Sequence, residues 1–552
     1  MSVALTINGC ATVADNEATS LFDYAESMGV RVPTSCVKNG KCKECMVEVT
    51  EGMDALSPPT PQESHLQRPF RLSCQTHVIA HTGSVKCHIM RRGQMHIERQ
   101  ALDLPTANQA VALAPAVTRD GERVLLDGVE IARAPGPLLG LAMDLGTTTI
   151  VLRLLDLETG VQVADASFEN PQRFGGSDVM SRIQYDTTHH GHLLMRTLAG
   201  YLSHAIEAFP VDPKTIYEMV VVGNATMRDI FFRQDVYSIG QNPYRSITEI
   251  ELGEGKRTTT ALTTTGRRSL LPIHPKARVY GAPVISGHVG ADAAACMLAV
   301  NIAHEDRIVA VMDIGTNTEL ILGNRHRVVA ASCPAGPAFE GGAISCGMPG
   351  LDGAIASVAI GDDGAFQLGV IGGAEPEGIC GSGLVDLLGE LLRTGRMNAL
   401  GRFDDGVSRV IVDAAHEISF SESDVNELAQ AKGANVAGLQ VVFNEYGIGF
   451  DDVDVFYLAG GFGRHIGLDA SRRIGLIPDL PPAKCVQVGN AAIEGACTAL
   501  LSMPKRRELE QLVRRVEHCR LETHPQFFDF FVDGCQFRPI ESVYDRPGAG
   551  GE

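Results

Sequence analysis

Four cysteines near the N-terminus constrain the fold of this chain more than any other feature. Cys36, Cys42 and Cys45 lie within ten residues, and Cys74 follows them in the spacing C-x5-C-x2-C-x28-C. Three thiolates from one loop and a fourth from a later strand can hold two irons bridged by two sulfides. A zinc site is the alternative, because a CxxC pair also binds zinc, but no second CxxC pair follows. The spacing therefore favours a [2Fe–2S] cluster.

The residues around this loop predict a small mixed domain. Alternating apolar side chains over 3–7 and an Asn-Gly turn predict two strands, and an apolar face beginning at Leu21 predicts a helix. The stretches MVEVTEG and RLSCQTHV predict two further strands. This order over residues 1–92 resembles the β-grasp [2Fe–2S] ferredoxins, and the x5 spacing resembles their adrenodoxin-like branch. Cys87 competes for the role of fourth ligand, but its alternating neighbours predict a buried strand residue.

Composition narrows the class of protein. A chain of 552 residues with 44% hydrophobic residues and 59 glycines is expected to form several domains with α/β cores. The net charge of −19 argues against nucleic-acid binding and against anionic membrane surfaces. We find no spanning-length apolar run and no signal peptide, and fourteen cysteines suit a reducing compartment. The expected location is cytoplasmic, with no membrane and no nucleic acid as partners.

A second chemical signal occurs twice. An apolar strand ending in DLGTTT at Asp144 is followed 169 residues later by an apolar strand ending in DIGTNTE at Asp313. Each carboxylate can face a magnesium ion, and the small residues behind it allow backbone and hydroxyl groups to approach phosphates. A single copy fits an ordinary turn with a capping Asp equally well. Two copies predict two lobes that hold one nucleotide, with phosphate contacts from Gly146, Thr147, Thr148, Gly315, Thr316 and Thr318.

A glycine cluster completes this pattern. An apolar strand leads into Gly460, Gly461 and Gly463, where an adenosine can lie against bare backbone. The chain contains no Walker A sequence. The two phosphate motifs and the adenosine motif resemble those of the sugar-kinase, heat-shock-chaperone and actin (ASKHA) superfamily, which implies an RNase H-like, two-lobed ATPase.

The expected architecture is therefore multidomain, α+β followed by α/β. We expect a linker with one weak hairpin between the ferredoxin domain and the first lobe, and a C-terminal helix and strand extension after the second lobe. The predicted boundaries are 1–92 for the ferredoxin domain, 93–140 for the linker, 141–305 for the first lobe, 306–503 for the second lobe and 504–552 for the extension.

The union of these parts resembles the reductive activators of corrinoid proteins. Six strings of the sequence fit that family together, although none is specific alone. They are NPQRFGGSDVMSRI (170–183), VVGNATM (221–227), SGHVGADAAA (286–295), CPAGPAFEGGAISCGM (333–348), GICGSGLVD (378–386) and VGNAAIEGA (488–496).

The resemblance implies an electron-transfer activity assisted by ATP and Mg²⁺. The chain would return one electron from its [2Fe–2S] cluster to the inactive cobalt(II) of a corrinoid methyl carrier and regenerate cobalt(I). It implies the corrinoid protein of a methyltransferase system as partner and a ferredoxin or flavoprotein reductase as electron donor, and it allows a homodimer. The alternatives are an ATP-driven donor to another low-potential enzyme and a redox-sensing ATP-binding module.

Roles for single residues follow from the resemblance and from local spacing. Asp144 and Asp313 would hold magnesium through water, and either Asp313 or Glu319 would orient the attacking water. Glu340 would contact nucleotide or cap a helix. Asp178 and Arg182, four residues apart on a predicted helix, would form a surface ion pair.

Overall fold

The N-terminal part of the chain is a five-stranded sheet with one helix on it. A computed structural model describes residues 3–15, 18–34, 36, 38–90, 104, 112–461, 463 and 465–544. The sheet has the order β2-β1-β5-β3-β4, and β1 and β5 at its centre are parallel. The elements are β1 (Val3–Ile7), β2 (Cys10–Ala14), α1 (Leu21–Ser27), β3 (Met46–Glu51), β4 (Phe70–Leu72) and β5 (Ser84–Ile89).

Local chemistry explains how this sheet is covered. A capping box starts α1, in which the Ser20 hydroxyl accepts from the Asp23 amide and the Asp23 carboxylate accepts from the Ser20 amide. Leu21 and Phe22 are then buried in the core of this sheet. Cys87 lies fully buried in β5, and burial raises its thiol pKa to about 12. The β-grasp arrangement predicted from the sequence is confirmed.

The predicted linker is partly folded. Instead of one hairpin, β6 (Val117–Asp120), β7 (Arg123–Leu126) and β8 (Val129–Arg133) form a three-stranded antiparallel sheet. Residues 93–103 and 105–111 lie outside the described residues, so the linker boundaries stay a prediction. Ala114 exchanges backbone hydrogen bonds with Leu501 and Met503, which ties this region to helices near the end of the chain.

The first lobe is a six-stranded sheet of order β11-β10-β9-β12-β14-β13 with helices around it. Its elements are β9 (Leu139–Leu145), β10 (Thr149–Asp156), β11 (Gln162–Glu169), α2 (Val179–Thr188), α3 (Leu193–Glu207), β12 (Ile216–Gly223), α4 (Ala225–Phe231), α5 (Ile247–Gly253), β13 (Leu262–Thr265), α6 (Gly266–Ser269), β14 (Arg278–Gly281) and α7 (Ala291–Ala299).

The second lobe carries a six-stranded sheet of order β24-β23-β15-β16-β17-β25 and two small side sheets, β19-β18-β20 and β21-β22. Its elements are β15 (Val309–Ile314), β16 (Thr318–Gly323), β17 (Val328–Cys333), β18 (Ala354–Ile360), β19 (Phe366–Val370), β20 (Gly378–Ile379), α8 (Gly381–Arg393), β21 (Arg409–Asp413), β22 (Ile418–Ser421), α9 (Glu422–Tyr446), β23 (Val455–Ala459), α10 (Leu468–Ile474), β24 (Cys485–Gly489), α11 (Ala491–Leu501), α12 (Met503–Leu512), β25 (Val516–His518) and α13 (Phe527–Gly534).

The two large sheets repeat one design. In the first lobe β11-β10-β9 is an antiparallel meander and β9-β12-β14 is parallel. In the second lobe β17-β16-β15 is likewise an antiparallel meander, and β15-β23-β24 is parallel. The predicted pair of lobes is therefore a structural duplication. The stretch expected as a C-terminal extension contributes β25, which pairs with β17 and completes the second sheet.

Two alanine-rich helices cross between the lobes. Helix α7 follows the last parallel strand of the first sheet, and α11 follows the corresponding strand of the second. They meet at Gly495, where an added Cβ would lie 2.0 Å from the carbonyl oxygen of Ala295. Only glycine permits this approach. Among the described residues, no helix combines the length and the apolar character needed to cross a membrane.

Candidate functional site

The four cysteines meet as two pairs of thiols. Cys36 and Cys42 hydrogen-bond to each other through their side chains, and Cys45 and Cys74 form the second such pair. Within the described residues, no three His, Cys, Asp or Glu side chains form a group that could hold a single metal ion. Two pairs of thiols suit a cluster in which each of two irons takes two thiolates.

The loop backbone is arranged around these sulfurs. Amide groups of Asn39 and Lys41 hydrogen-bond to the Cys36 sulfur, and the Gly40 amide hydrogen-bonds to Cys74. Gly40 has a φ of 72°, which turns its amide inward. The hydrogen bond between Cys45 and Cys74 lowers the pKa of the Cys74 thiol and raises that of Cys45, and a thiolate is the form that binds iron. These residues fit a [2Fe–2S] cluster.

A second site lies between the two lobes. A cavity of 880 Å³ is lined by both DxGT turns, by Gly460 and Gly461, and by the N-terminus of α8 at Gly381. Its volume lies within the range of small-molecule binding sites. The structure therefore brings together the two phosphate motifs and the glycine cluster that the sequence placed in separate halves of the chain.

Close backbone approach explains the glycines of this cavity. An added Cβ at Gly146 would lie 2.6 Å from the Thr149 carbonyl oxygen, to which the Gly146 amide donates. At Gly460, where φ is 111°, it would lie 2.3 Å from the Ile314 carbonyl oxygen. These glycines allow tight turns, and the cavity is bordered by backbone there.

Glu340 joins the two phosphate turns. The hydroxyls of Thr148 and Thr316 lie 2.8 Å apart across the cleft. Each also donates to Glu340 Oε2, the former over 2.9 Å. Glu340 lines the cavity beside both phosphate turns, and its contact with a nucleotide stays a prediction. Burial raises the pKa of this carboxyl, against the effect of its two hydroxyl donors.

Four further carboxylates line the same cavity. They are Asp144, Asp292, Asp313 and Glu319. Burial raises the pKa of Asp144 to about 7 and that of Asp313 to about 6, and the pKa of Glu319 lies well above its usual range. Mutual repulsion adds to the burial effect on Asp144 and Glu319. Because these buried carboxylates repel one another when they are ionised, their arrangement favours binding of a cation.

Asp292 is a residue that the sequence reasoning did not single out. It lies in the first turn of α7, and burial followed by repulsion from Asp313 raises its pKa to about 7 although the Ala293 amide hydrogen-bonds to it. Its string SGHVGADAAA was noticed, but nothing in one sequence showed that it would face Asp144. Topology brings them together, because α7 follows β14, which lies beside the other parallel strands.

Two asparagines were also missed as site residues. Asn224 donates to the Thr147 hydroxyl over 2.9 Å, and Asn490 donates to the Asp144 carboxylate over 2.8 Å. Each also caps a helix, because its side-chain oxygen accepts from the amide three residues on. The repeated triplet Gly-Asn-Ala at 223–225 and 489–491 was the signal that could have identified them.

Two predicted phosphate or adenosine contacts do not line the cavity. Thr318 is fully buried in β16, whereas its neighbour Glu319 faces the cavity, because successive side chains of a strand point to opposite faces. Gly463 lies beyond Gly460, to whose carbonyl its amide donates, and is also absent from the lining. Their contact with a nucleotide stays a prediction.

Arg182 was expected on the surface and is buried. Its guanidinium donates to the Gly176 carbonyl over 3.0 Å and lies 3.1 Å from the Met227 sulfur. Burial lowers its pKa to about 9, although Asp178 and Glu340 oppose this effect. Asp178 instead caps α2 by accepting from the Ser181 amide. Side-chain spacing alone could not show that this face of α2 packs inward.

Comparisons with known proteins divide the chain in the same way. Residues 307–544 match the model for the C-terminal domain of RACo, the ASKHA domain, and residues 139–305 match the RACo middle region. Residues 5–78 match the 2Fe-2S iron-sulfur cluster binding domain.

Similar proteins extend over nearly the whole chain. The corrinoid activation enzyme RamQ of Eubacterium limosum is 28% identical, over 93% of this chain and 95% of that protein. The [Co(II) methylated amine-specific corrinoid protein] reductase of Methanosarcina barkeri is 24% identical, over 72% and 76%. The solved structure of a reductive activator for corrinoid, iron-sulfur protein is 26% identical, covers 97% of this chain and 98% of its own, and superposes with a TM-score of 0.71.

Proposed function

Because this chain belongs to the family of reductive activators of corrinoid proteins, we propose that it returns an electron to the inactive cobalt(II) of a corrinoid methyl carrier with the assistance of ATP. The observation that carries this proposal is the union of a four-cysteine ferredoxin domain with a cleft whose two phosphate turns meet at Thr148 and Thr316. When bound, the [2Fe–2S] cluster supplies one electron at low potential, near about −400 mV in plant-type ferredoxins.

The reason for coupling to ATP is thermodynamic. The cobalt(II)/cobalt(I) couple of the carrier lies below the potential of such a cluster in the family that this chain resembles. Each ~59 mV of uphill transfer of one electron costs about 1.4 kcal/mol. A gap of one to two hundred millivolts would therefore cost roughly 2–5 kcal/mol. The two lobes can close around a nucleotide. The free energy of this closure can offset the cost of electron transfer to the bound partner.

Residue roles follow from the geometry of the cleft. Gly146, Thr147 and Thr148 would face phosphates from the first lobe, and Gly315 and Thr316 from the second. Asp144 and Asp313 would hold a magnesium ion through water. Magnesium commonly keeps several waters and takes only one or two carboxylates together with substrate phosphates. This suits a cavity that Asp144 and Asp313 line together with both phosphate turns.

Partners and location are proposed on the same basis. A ferredoxin or flavoprotein reductase would reduce the cluster, and the corrinoid protein of a methyltransferase system would receive the electron. All fourteen cysteines are free thiols, which suits the reducing cytoplasm. A homodimer is compatible with this function but not required by it.

The test is a reduction assay with a corrinoid methyl carrier held as cobalt(II). Titanium(III) citrate reduces the chain, and the absorbance of cobalt(I) is followed with and without ATP and Mg²⁺. We expect reduction only with both, and Asp313→Asn should lower its rate at least tenfold while the cluster still reduces. Cys74→Ala should lose the visible chromophore and the activity. Cys87→Ala, a buried cysteine of the same sheet, should keep both.

Two outcomes would contradict the proposal. Equal cobalt reduction with and without ATP would remove the role of the cleft. ATP binding without any electron delivery would instead support a redox-sensing module.

A further inference from the structure

A buried ion pair joins the ferredoxin domain to the first lobe. Arg173 contacts Glu48 over 2.6 Å and Glu169 over 3.0 Å, and all three side chains are at most 18% exposed. Glu48 belongs to β3, which begins directly after the cluster-loop residue Cys45. Arg173 belongs to the first lobe, in a short 3-10 turn after β11. The guanidinium therefore bridges the two domains close to the cysteine loop.

The same turn is bonded to the first phosphate motif. It begins at Asn170, whose amide donates to the Thr148 carbonyl over 2.6 Å. The Asn170 side chain donates to the Gly146 carbonyl over 2.8 Å. Thr148 and Gly146 belong to the DLGTTT turn and border the cavity. A shift of the DLGTTT turn when phosphate binds therefore moves Asn170. Arg173 follows only three residues later.

The segment from Asn170 to Arg173 has little freedom, because Pro171 and Gln172 are buried and the Gln172 amide donates to the Asn170 side chain over 3.0 Å. The glycines that follow Arg173 are also closely packed. An added Cβ at Gly175 would lie 2.6 Å from the Leu194 side chain, and at Gly176, with φ of 128°, 2.2 Å from Ser181. The Gly176 carbonyl accepts from buried Arg182. Tight packing transmits displacement rather than absorbing it.

Two other contacts between these domains are made by residues outside this segment. Arg196 donates to the Cys42 carbonyl over 3.1 Å, and Arg31 pairs with Glu207 over 2.9 Å. The Arg31 and Glu207 side chains are 65% and 42% exposed. Glu207 ends α3, and no described contact connects it to the phosphate turns. This pair provides a matched reference at the same interface.

We propose that Arg173 is a positioning residue that couples nucleotide binding in the cleft to docking of the ferredoxin domain. The inference rests on the proposed function and specifies how its two halves communicate. Coupling between two sites is reciprocal, so a change in domain docking must alter nucleotide affinity by the same factor. A residue of the ferredoxin domain should thus affect a nucleotide that it does not touch.

Isothermal titration of the full chain with AMP-PNP and Mg²⁺ tests this coupling. The variants are Glu48→Gln, Arg173→Gln, the double variant and Glu207→Gln as the matched control. We expect the Kd of both single variants to differ at least fivefold from that of the unaltered chain, in the same direction, within the usual range of such couplings. The double variant should change the Kd no more than either single variant, because both remove one interaction. Glu207→Gln should stay within twofold.

A second readout follows the domain itself. Hydrogen exchange of residues 46–51 should change on addition of AMP-PNP in the unaltered chain and should not change in Arg173→Gln. The visible cluster absorbance serves as a check that each variant is folded. A Kd for Glu48→Gln within twofold of the unaltered chain would overturn the inference while leaving the proposed function intact. Absence of AMP-PNP binding by the unaltered chain would overturn both.

Discussion

At the scale of single residues, the carboxylates of the cleft determine how the chain responds to pH in the absence of a cation. The folded-state pKa of Asp292 is raised to about 7 from an ordinary value near 4. The folded state therefore binds more protons than the unfolded state between these values. The contribution of the Asp292 carboxyl to the free energy of unfolding is complete below pH 4 and is lost as the pH rises through about 7.

Asp292→Asn should consequently stabilise the chain without nucleotide or divalent cation at pH 8 and have little effect near pH 5. Asp292 lines a cavity, where solvent screens it, so we expect a gain of about 1–3 kcal/mol rather than the full value of the shift. Urea unfolding at pH 5, 6.5 and 8 in EDTA measures the difference between variant and parent. With Mg²⁺ and AMP-PNP the order should reverse, because the variant has lost a charge near the cation. A difference that does not depend on pH would contradict this account.

The same residues show what one sequence can reveal. Asp144 and Asp313 could be predicted because each ends an apolar strand within a repeated pattern. Asp292 could not, because it reaches the site from a helix whose position depends on the order of strands in the sheet. Thr318 lies one residue before the cavity-lining Glu319, and strand alternation turns its side chain to the other face of the sheet. The pattern of neighbouring residues therefore identifies candidate site residues, and the topology of the sheets decides which of them lie close together.

At the scale of elements, the crossing of α7 and α11 depends on one glycine. Gly495→Ala would normally favour a helix by about 1 kcal/mol. Here the added methyl would lie 2.0 Å from the Ala295 carbonyl oxygen, so backbone must move. Such overpacking costs about 1–3 kcal/mol. We expect a lower midpoint of thermal unfolding and weaker AMP-PNP binding, measured by calorimetry, because the crossing holds the lobes in register.

Gly253→Ala is the matched control for this prediction. Gly253 is the exposed last residue of α5, and its added Cβ would meet only the end of the Arg245 side chain, at 3.0 Å. A flexible side chain can move aside, so this variant should be neutral or slightly stabilising. Equal destabilisation by both substitutions would show that the helix crossing is not the sensitive element.

The elements themselves were largely predictable, with two exceptions. Alternation and the Asn-Gly turn predicted the first strands of the ferredoxin domain, and the repeated DxGT pattern predicted two similar sheets. The three-stranded sheet of β6, β7 and β8 and the pairing of β25 with β17 were not foreseen. A hairpin in the linker and a strand in the C-terminal extension were predicted. The pairing partners were not, because β6, β7, β8 and β25 have only three to five residues each and so carry little periodic signal.

At the scale of the whole molecule, the connection between the ferredoxin domain and the lobes should matter for activity. Contacts at Arg173, Arg196 and Arg31 dock the two parts against each other. We expect this docking to open during electron transfer, while the connection keeps the parts together. A protease site placed within 93–103 would leave both parts folded and separate them. At micromolar concentration the cut chain should reduce cobalt much more slowly than the intact chain, because a tether supplies an effective concentration on the order of millimolar.

Concentration provides the control for this experiment. Raising the cut protein toward millimolar should restore part of the rate. Equal rates for cut and intact chain at micromolar concentration would show that docking alone holds the domains together.

Helices α11 and α12 belong to the end of the chain but are packed into the core of the first lobe. Ile493, Leu500 and Leu509 join that core, and Arg506 pairs there with buried Glu218 over 2.8 Å. A ribosome releases the first lobe roughly 190 residues before α11, which at about 5–20 residues per second is about 10–40 s. During that time α11 and α12, which pack into the core around β9 and β12, have not yet been synthesised. A newborn chain that stops at residue 305 is thus a client for chaperones rather than a finished domain.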